Sequence, residues 1–171
     1  MFIVNQSEGW SILNGEKVET LRPIRPNGKG YFKMGSIQRI YIGRNFKAPA
    51  LCRVLVYNRT FVNIHDLSIA DFNALGYPSK AEYLAQPYNK GNPSSDRVRY
   101  QFIELSHLLD WIENCNKNPI TFAQLMRYVQ FNSDLMVGVS PVLPWDNVEK
   151  SDIVDRFHTV AYNLRRVIND Q

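Results

Sequence analysis

The spacing of apolar residues changes character along the chain. Between Glu8 and Leu13 there is room for one or two helical turns, with Trp10 and Leu13 on one side. The β-branched, alternating run of Val18, Thr20 and Arg22 predicts a short strand. Pro23, Pro26, Asn27-Gly28 and Gly30 then predict a loop rich in backbone breakers. Strands are predicted at Ile37–Ile42 and Leu51–Tyr57, the second with Leu51, Arg53, Leu55 and Tyr57 on one face and Cys52, Val54 and Val56 on the other. A basic connection, Gly43 to Pro49, joins them, and Phe61 to Ile64 continues the β pattern.

The middle of the chain turns helical. Ser68-Ile69-Ala70-Asp71 has the spacing of a capping box, opening a short helix that ends at Gly76. Ser79-Lys80-Ala81-Glu82 repeats the signature and opens a second helix through Leu84. Asn89 to Ser95 is rich in turn residues, and Arg97 to Leu105 returns to strand. From Ser106 onward the pattern is helical. Leu108, Leu109, Trp111 and Ile112 form one stripe, and Thr121-Phe122-Ala123-Gln124 predicts the start of a helix with Phe122, Leu125, Met126 and Val129 inward. Pro141 and Pro144 break the chain before a last helix from about Ser151 to Ile168, with Ile153, Phe157, Val160, Leu164 and Ile168 at helical spacing. Such stripes predict docking faces. The layout is α+β, with helices packed on a small barrel or curved sheet.

Composition narrows the class without naming it. A hydrophobic fraction of 44% and a charged fraction of 21% describe an ordinary globular chain. There is no basic n-region followed by a long apolar h-region, and no apolar run approaches the roughly 20 residues of a membrane span. The expectation is a soluble, cytoplasmic protein without a membrane partner. Cys52 and Cys115 read as small buried thiols, and His65, His107 and His158 lack ligand spacing, so neither metal nor cofactor is expected. Charge distribution says more. Residues 1–60 hold ten basic side chains against three acidic ones, an excess that the rest of the chain does not share. That asymmetry suits a polyanion-binding face, and equally suits cations scattered on solvated strands.

Ile12-Leu13-Asn14-Gly15-Glu16-Lys17-Val18-Glu19-Thr20-Leu21-Arg22 resembles the signature of the ASCH domain: an apolar pair, a Gly, a Lys, and an Arg five positions after it. Phe32-Lys33-Met34-Gly35 followed by Arg39-Ile40 is similar to that family's turn into its next strand. The segment from Leu67-Ser68 through Leu75-Gly76-Tyr77-Pro78 to Glu82 is similar to its helical insert, and Tyr100 to Leu105 to its closing strand. The resemblance covers about half of the chain. It implies a β-barrel of the PUA-like superfold over residues 1–106, with residues 107–171 as a helical extension outside it.

The resemblance also implies a cleft that handles RNA or nucleobases. One branch of the family hydrolyses acetylated cytidine nucleosides with a Lys and a Thr of the motif and a Glu of the insert. Lys17 and Thr20 stand at the matching positions, whereas the insert position falls on Leu75, which cannot carry a proton. Asp71 and Glu19 are substitutes that spacing does not support. Binding therefore outranks hydrolysis. The expected contacts to RNA, single-stranded nucleic acid or a nucleoside are Lys17, Thr20, Arg22, Arg25, Lys29, Lys33, Arg39, Arg44 and Tyr77, with Tyr31 or Phe32 as further rings for stacking. For Lys17 and Arg22 the plain alternative is a cross-strand pair with Glu16 or Glu19. A third function class, a protein partner bound through residues 107–171, rests on the helical extension alone.

Overall fold

The computed structural model describes residues 1–24, 31–45, 47–90, 94–139 and 149–170. Its strands are β1 (Phe2–Val4), β2 (Glu19–Pro23), β3 (Ile37–Ile42), β4 (Cys52–Asn63) and β5 (Asp96–Glu104). Its α-helices are α1 (Gln6–Leu13), α2 (Ile69–Ala74), α3 (Lys80–Leu84), α4 (Leu105–Asn114), α5 (Pro119–Val129) and α6 (Lys150–Asn169). The strands form one mixed sheet in the order β1-β3-β4-β5-β2, with β1 parallel to β3 and the other pairs antiparallel.

Ring contacts show how strongly this sheet curves. Neighbouring strands lie about 4.8 Å apart, so in a flat sheet β1 and β5 would be separated by about 14 Å. Yet the Phe2 ring of β1 lies 5.7 Å from the Phe102 ring of β5, centroid to centroid. The Arg22 guanidinium of β2 sits 5.8 Å from the same Phe2 ring, although β1 and β2 are opposite edges of the sheet. The sheet is therefore rolled into an open half-barrel. A bulge between Val56 and Asn58 bends the long strand β4 and shifts its register against β5. Inside the roll, Phe2, Val4, Ile40, Val54, Val56, Val98, Tyr100 and Phe102 make an apolar core, closed at one end by Ile12 of α1.

The convex face is shared between two sets of helices. Leu55 and Ile103 meet α4, α5 and α6, whose inward stripes, including Leu108, Ile112, Phe122, Leu125, Phe157, Val160 and Leu164, form one buried cluster. The apolar stripes of the C-terminal helices are thus consumed in docking onto the sheet. At the other end Leu21 packs with Ile64, Phe72, Leu75 and Tyr83 under α2 and α3. A polar seam lies between them. Glu19 accepts from Arg99 Nε at 3.0 Å and Nη2 at 2.7 Å, and from Gln101 Nε2 at 3.2 Å. Arg99 also pairs with Asp71 at 3.2 Å. The hydrogen bonds that Arg99 donates to the Glu19 carboxylate raise its pKa above the ordinary value.

The Ser68 capping box forms as the sequence predicts, with both reciprocal bonds present. Gly76 follows at φ +83°, the left-handed residue that ends α2. Ser68→Ala should lower stability by about 1 kcal/mol in urea denaturation. The Ser68 hydroxyl and amide, at 2.7 and 2.9 Å, hold the Asp71 carboxyl below its ordinary pKa, with help from Arg99. Because the folded pKa is the lower one, this contribution is full above the ordinary carboxylate range and is lost as pH falls through the folded pKa. Other boundaries depart from the pattern. The helix assigned to Thr121 starts at Pro119, with Asn118 as cap and its side chain accepting from Thr121 N at 2.8 Å. An Asn followed by Pro at the first helical position competes better for that start. The runs at Leu51–Tyr57 and Phe61–Ile64 are one strand joined through the bulge, and β1 carries no turn signal that would predict it.

Candidate functional site

Lys17 leads into β2, and its side chain is tucked beneath the C-terminal end of α2. Its ammonium donates to the carbonyl of Leu75, the cap residue of α2, at 3.1 Å. An ammonium at a helix C-terminus answers both the orphan carbonyl and the negative end of the dipole. A second donor reaches the Glu8 carboxylate at 2.6 Å. The Lys17 side chain is 8% exposed and that of Glu8 19%, so solvent screens the pair far less than it would on the surface. Glu8 itself sits in the first turn of α1, a helix capped by Asn5, where a carboxylate is favoured. The Tyr77 ring centroid lies 5.4 Å from the Lys17 ammonium.

These residues border a cleft of about 290 Å³ between α1 and the end of α2, whose walls include Ser7, Glu8, Ser11, Lys17, Asn73 and Tyr77. That volume is at the lower end of the roughly 300–1,000 Å³ of small-molecule sites. Glu16 also lines it, so the cleft carries two carboxylates and one ammonium. Its chemistry is a paired donor and acceptor beside an aromatic ring.

The residues expected to converge are divided by the fold. Lys17 and Tyr77 share the cleft. Thr20 and Arg22 do not line it: they pair with Tyr100 and Val98 on the concave face of the sheet, Thr20 buried and Arg22 over the Phe2 ring. Arg39 lies in β3, and Lys33 and Arg44 lie on exposed turns beside that strand. Arg25 and Lys29 lie outside the described residues. Phe32 packs into the half-barrel core beside Phe2 and Tyr100, and Tyr31 stands edge-on to Phe61. Leu75 contributes its carbonyl to Lys17 and buries its side chain, and Asp71 and Glu19 are both engaged with Arg99. Neither acid enters the cleft. The cross-strand pairing of Lys17 with Glu16 or Glu19 is replaced by the longer-range partner Glu8. Among the described residues no group of three or more His, Cys, Asp or Glu side chains is placed to hold a metal ion, and no helix is long and apolar enough to cross a membrane.

The chain is similar in fold to ASCH structures. Two of them, an ASCH protein from Zymomonas mobilis and a serine-to-alanine variant of it, align with TM-scores of 0.45 and 0.46 at 15% and 14% identity. Each alignment covers 67% of this chain, and 79% and 80% respectively of the other. A tyrosine-to-phenylalanine variant of the same protein aligns with a TM-score of 0.45 at 13% identity. No family model and no curated protein matches the sequence.

Glu8 is the residue that sequence reasoning missed. It stands in the first turn of α1, the helix in which the motif's apolar pair also lies, and no spacing rule links it to Lys17. Asn5 followed three residues later by Glu8 is the one local signal, since it marks a helix start and puts the carboxylate in the first turn.

Proposed function

We propose that the protein binds RNA, or a nucleoside unit of it, and receives a base in the cleft between α1 and α2. The observation that carries this reading is the 2.6 Å Lys17–Glu8 pair at the wall of that cleft. A carboxylate accepts from an exocyclic amine such as that of cytosine, and the neighbouring ammonium donates to a ring nitrogen or carbonyl. Unstacked bases are recognised on such edges and by stacking on a nearby ring, here Tyr77. The sugar–phosphate chain would be met by cations outside the cleft, among them Arg22, Lys33 and Arg44. Binding to single-stranded RNA is then steeply salt-sensitive. A Lys17→Ala/Arg22→Ala double variant with unchanged RNA affinity would end the proposal.

A second reading, hydrolysis of an acylated nucleoside, is favoured by the same pair. Amide hydrolysis needs a group that takes a proton from the attacking water and returns it to the leaving amine, and Glu8 supplies a carboxylate where Leu75 supplies none. The Lys17 ammonium would stabilise the negative charge that develops on the acyl oxygen. Incubation with acetylcytidine tests this. Turnover that falls about 10²–10⁴-fold in Glu8→Gln supports general acid–base work, and no turnover above a Lys17→Ala control removes it.

A further inference from the structure

A larger groove, about 610 Å³, lies on the convex face where the C-terminal helices leave β3 and β4 uncovered. Its cationic side chains are Arg39 of β3, Lys47 of the β3–β4 connection and Arg53 of β4. Arg39 and Arg53 are direct partners in the antiparallel register. Like charges directly opposite one another destabilise a sheet, so the fold carries this juxtaposition at a cost. Arg53 is partly relieved through a 3.1 Å bond to the Val167 carbonyl at the end of α6. The Arg39 side chain has no hydrogen bond or ion pair among the described residues.

The other chemistry of the groove offsets that charge only in part. Among the described residues one acid lines it, Glu104, which caps α4 by accepting from Ser106 N at 2.8 Å and His107 N at 3.0 Å. Burial, and then the Glu104 charge, push the Cys52 thiol up to about 12, so it stays protonated and adds no negative charge at neutral pH. Tyr41, two residues from Arg39 along β3, presents a ring on the same side, and Pro49, Leu51 and Ile168 supply apolar wall.

We infer that this groove is a nucleotide phosphate site, with Arg39, Arg53 and Lys47 holding phosphate and Tyr41 with the apolar wall holding a flat ring. Guanidinium forks match phosphate oxygens in bidentate geometry, and an anion between Arg39 and Arg53 converts their repulsion into a shared contact. The ligand is either a free nucleotide or one unit of single-stranded RNA. The groove is separate from the Lys17 cleft, and the inference does not rest on the reading of that cleft.

Titrations of the full chain with a nucleoside monophosphate, with the unphosphorylated nucleoside and with a short single-stranded RNA, at low and raised salt, test it. Phosphate-dependent binding is expected, weakened at least 10-fold by Arg39→Ala/Lys47→Ala. The slope of log affinity against log salt for RNA should fall by about 1.4, at about 0.7 for each phosphate that the variant no longer neutralises. The unphosphorylated nucleoside reports on the cleft, whereas the part of the affinity that needs phosphate and is lost in Arg39→Ala/Lys47→Ala reports on the groove, which separates failure here from failure at the cleft. Arg39→Ala should also melt no lower than the parent without ligand, because it removes a like-charge pair. Binding of the monophosphate assigns a small-molecule site, and binding of RNA alone assigns a polymer contact. Equal affinity for phosphorylated and unphosphorylated nucleoside, an unchanged double variant, or no binding at low salt would each overturn the inference.

Discussion

Gly35→Ala should destabilise the protein by about 3 kcal/mol or more, and it should do so by parting the C-terminal helices from the half-barrel. Gly35 has φ +79°, a conformation that costs an L side chain roughly 1–2 kcal/mol. A Cβ there would also lie 1.9 Å from the Phe131 carbonyl oxygen, and that obstacle is backbone, not the end of a flexible side chain. Overpacking of this kind costs about 1–3 kcal/mol even when neighbours can shift. One further bond holds the joint, Asn132 Nδ2 donating to the Gly35 carbonyl at 2.6 Å, while Gly35 N donates to the Val56 carbonyl at 2.7 Å and fixes the turn on β4. Alanine would push Phe131 away and break the Asn132 bond. Chemical denaturation should show the loss, and hydrogen exchange should show it concentrated in α5 and α6. A variant as stable as the parent would mean that the helices dock elsewhere.

The second large effect concerns Lys17. Lys17→Met should cost about 1–3 kcal/mol, because it leaves the partly buried Glu8 carboxylate without its partner. The Leu75 carbonyl loses its donor as well, which adds to the loss. Removing both charges is the gentler change. Glu8→Gln with Lys17→Met should recover much of the stability, since breaking a pair shielded from solvent costs more than replacing it whole. A double-mutant cycle on the four proteins reads the coupling directly. A coupling energy near zero would mean that the 2.6 Å contact is incidental, and both readings of the cleft would lose their support.

Strands, helices and their docking faces were largely legible because each is written in local chemistry. The alternation in β3, β4 and β5, the Ser68 and Ser79 caps and the stripe from Ile153 to Leu164 all act over a few residues. Two things were not. β1 has three residues, too few for a periodic signal, and it joins the sheet by pairing in parallel with a strand more than thirty residues away. The candidate sites depend on how the sheet curls. Lys17 could be named from its motif, but its partner Glu8 lies upstream of that motif in the first turn of α1, and Thr20 turns to the opposite face from Leu21 because side chains alternate along β2. The opposition of Arg39 and Arg53 likewise exists only in the register of β3 against β4.

The central claim is that the cleft between α1 and α2 receives a base, and titration followed by backbone amide and lysine ammonium resonances tests it most directly. With a short cytosine-containing RNA, shifts at Glu8, Lys17 and Tyr77 should saturate together, and the set should vanish in Lys17→Ala. Shifts confined to Arg39, Lys47 and Arg53, with the Glu8–Lys17 pair unmoved at saturation, would contradict it.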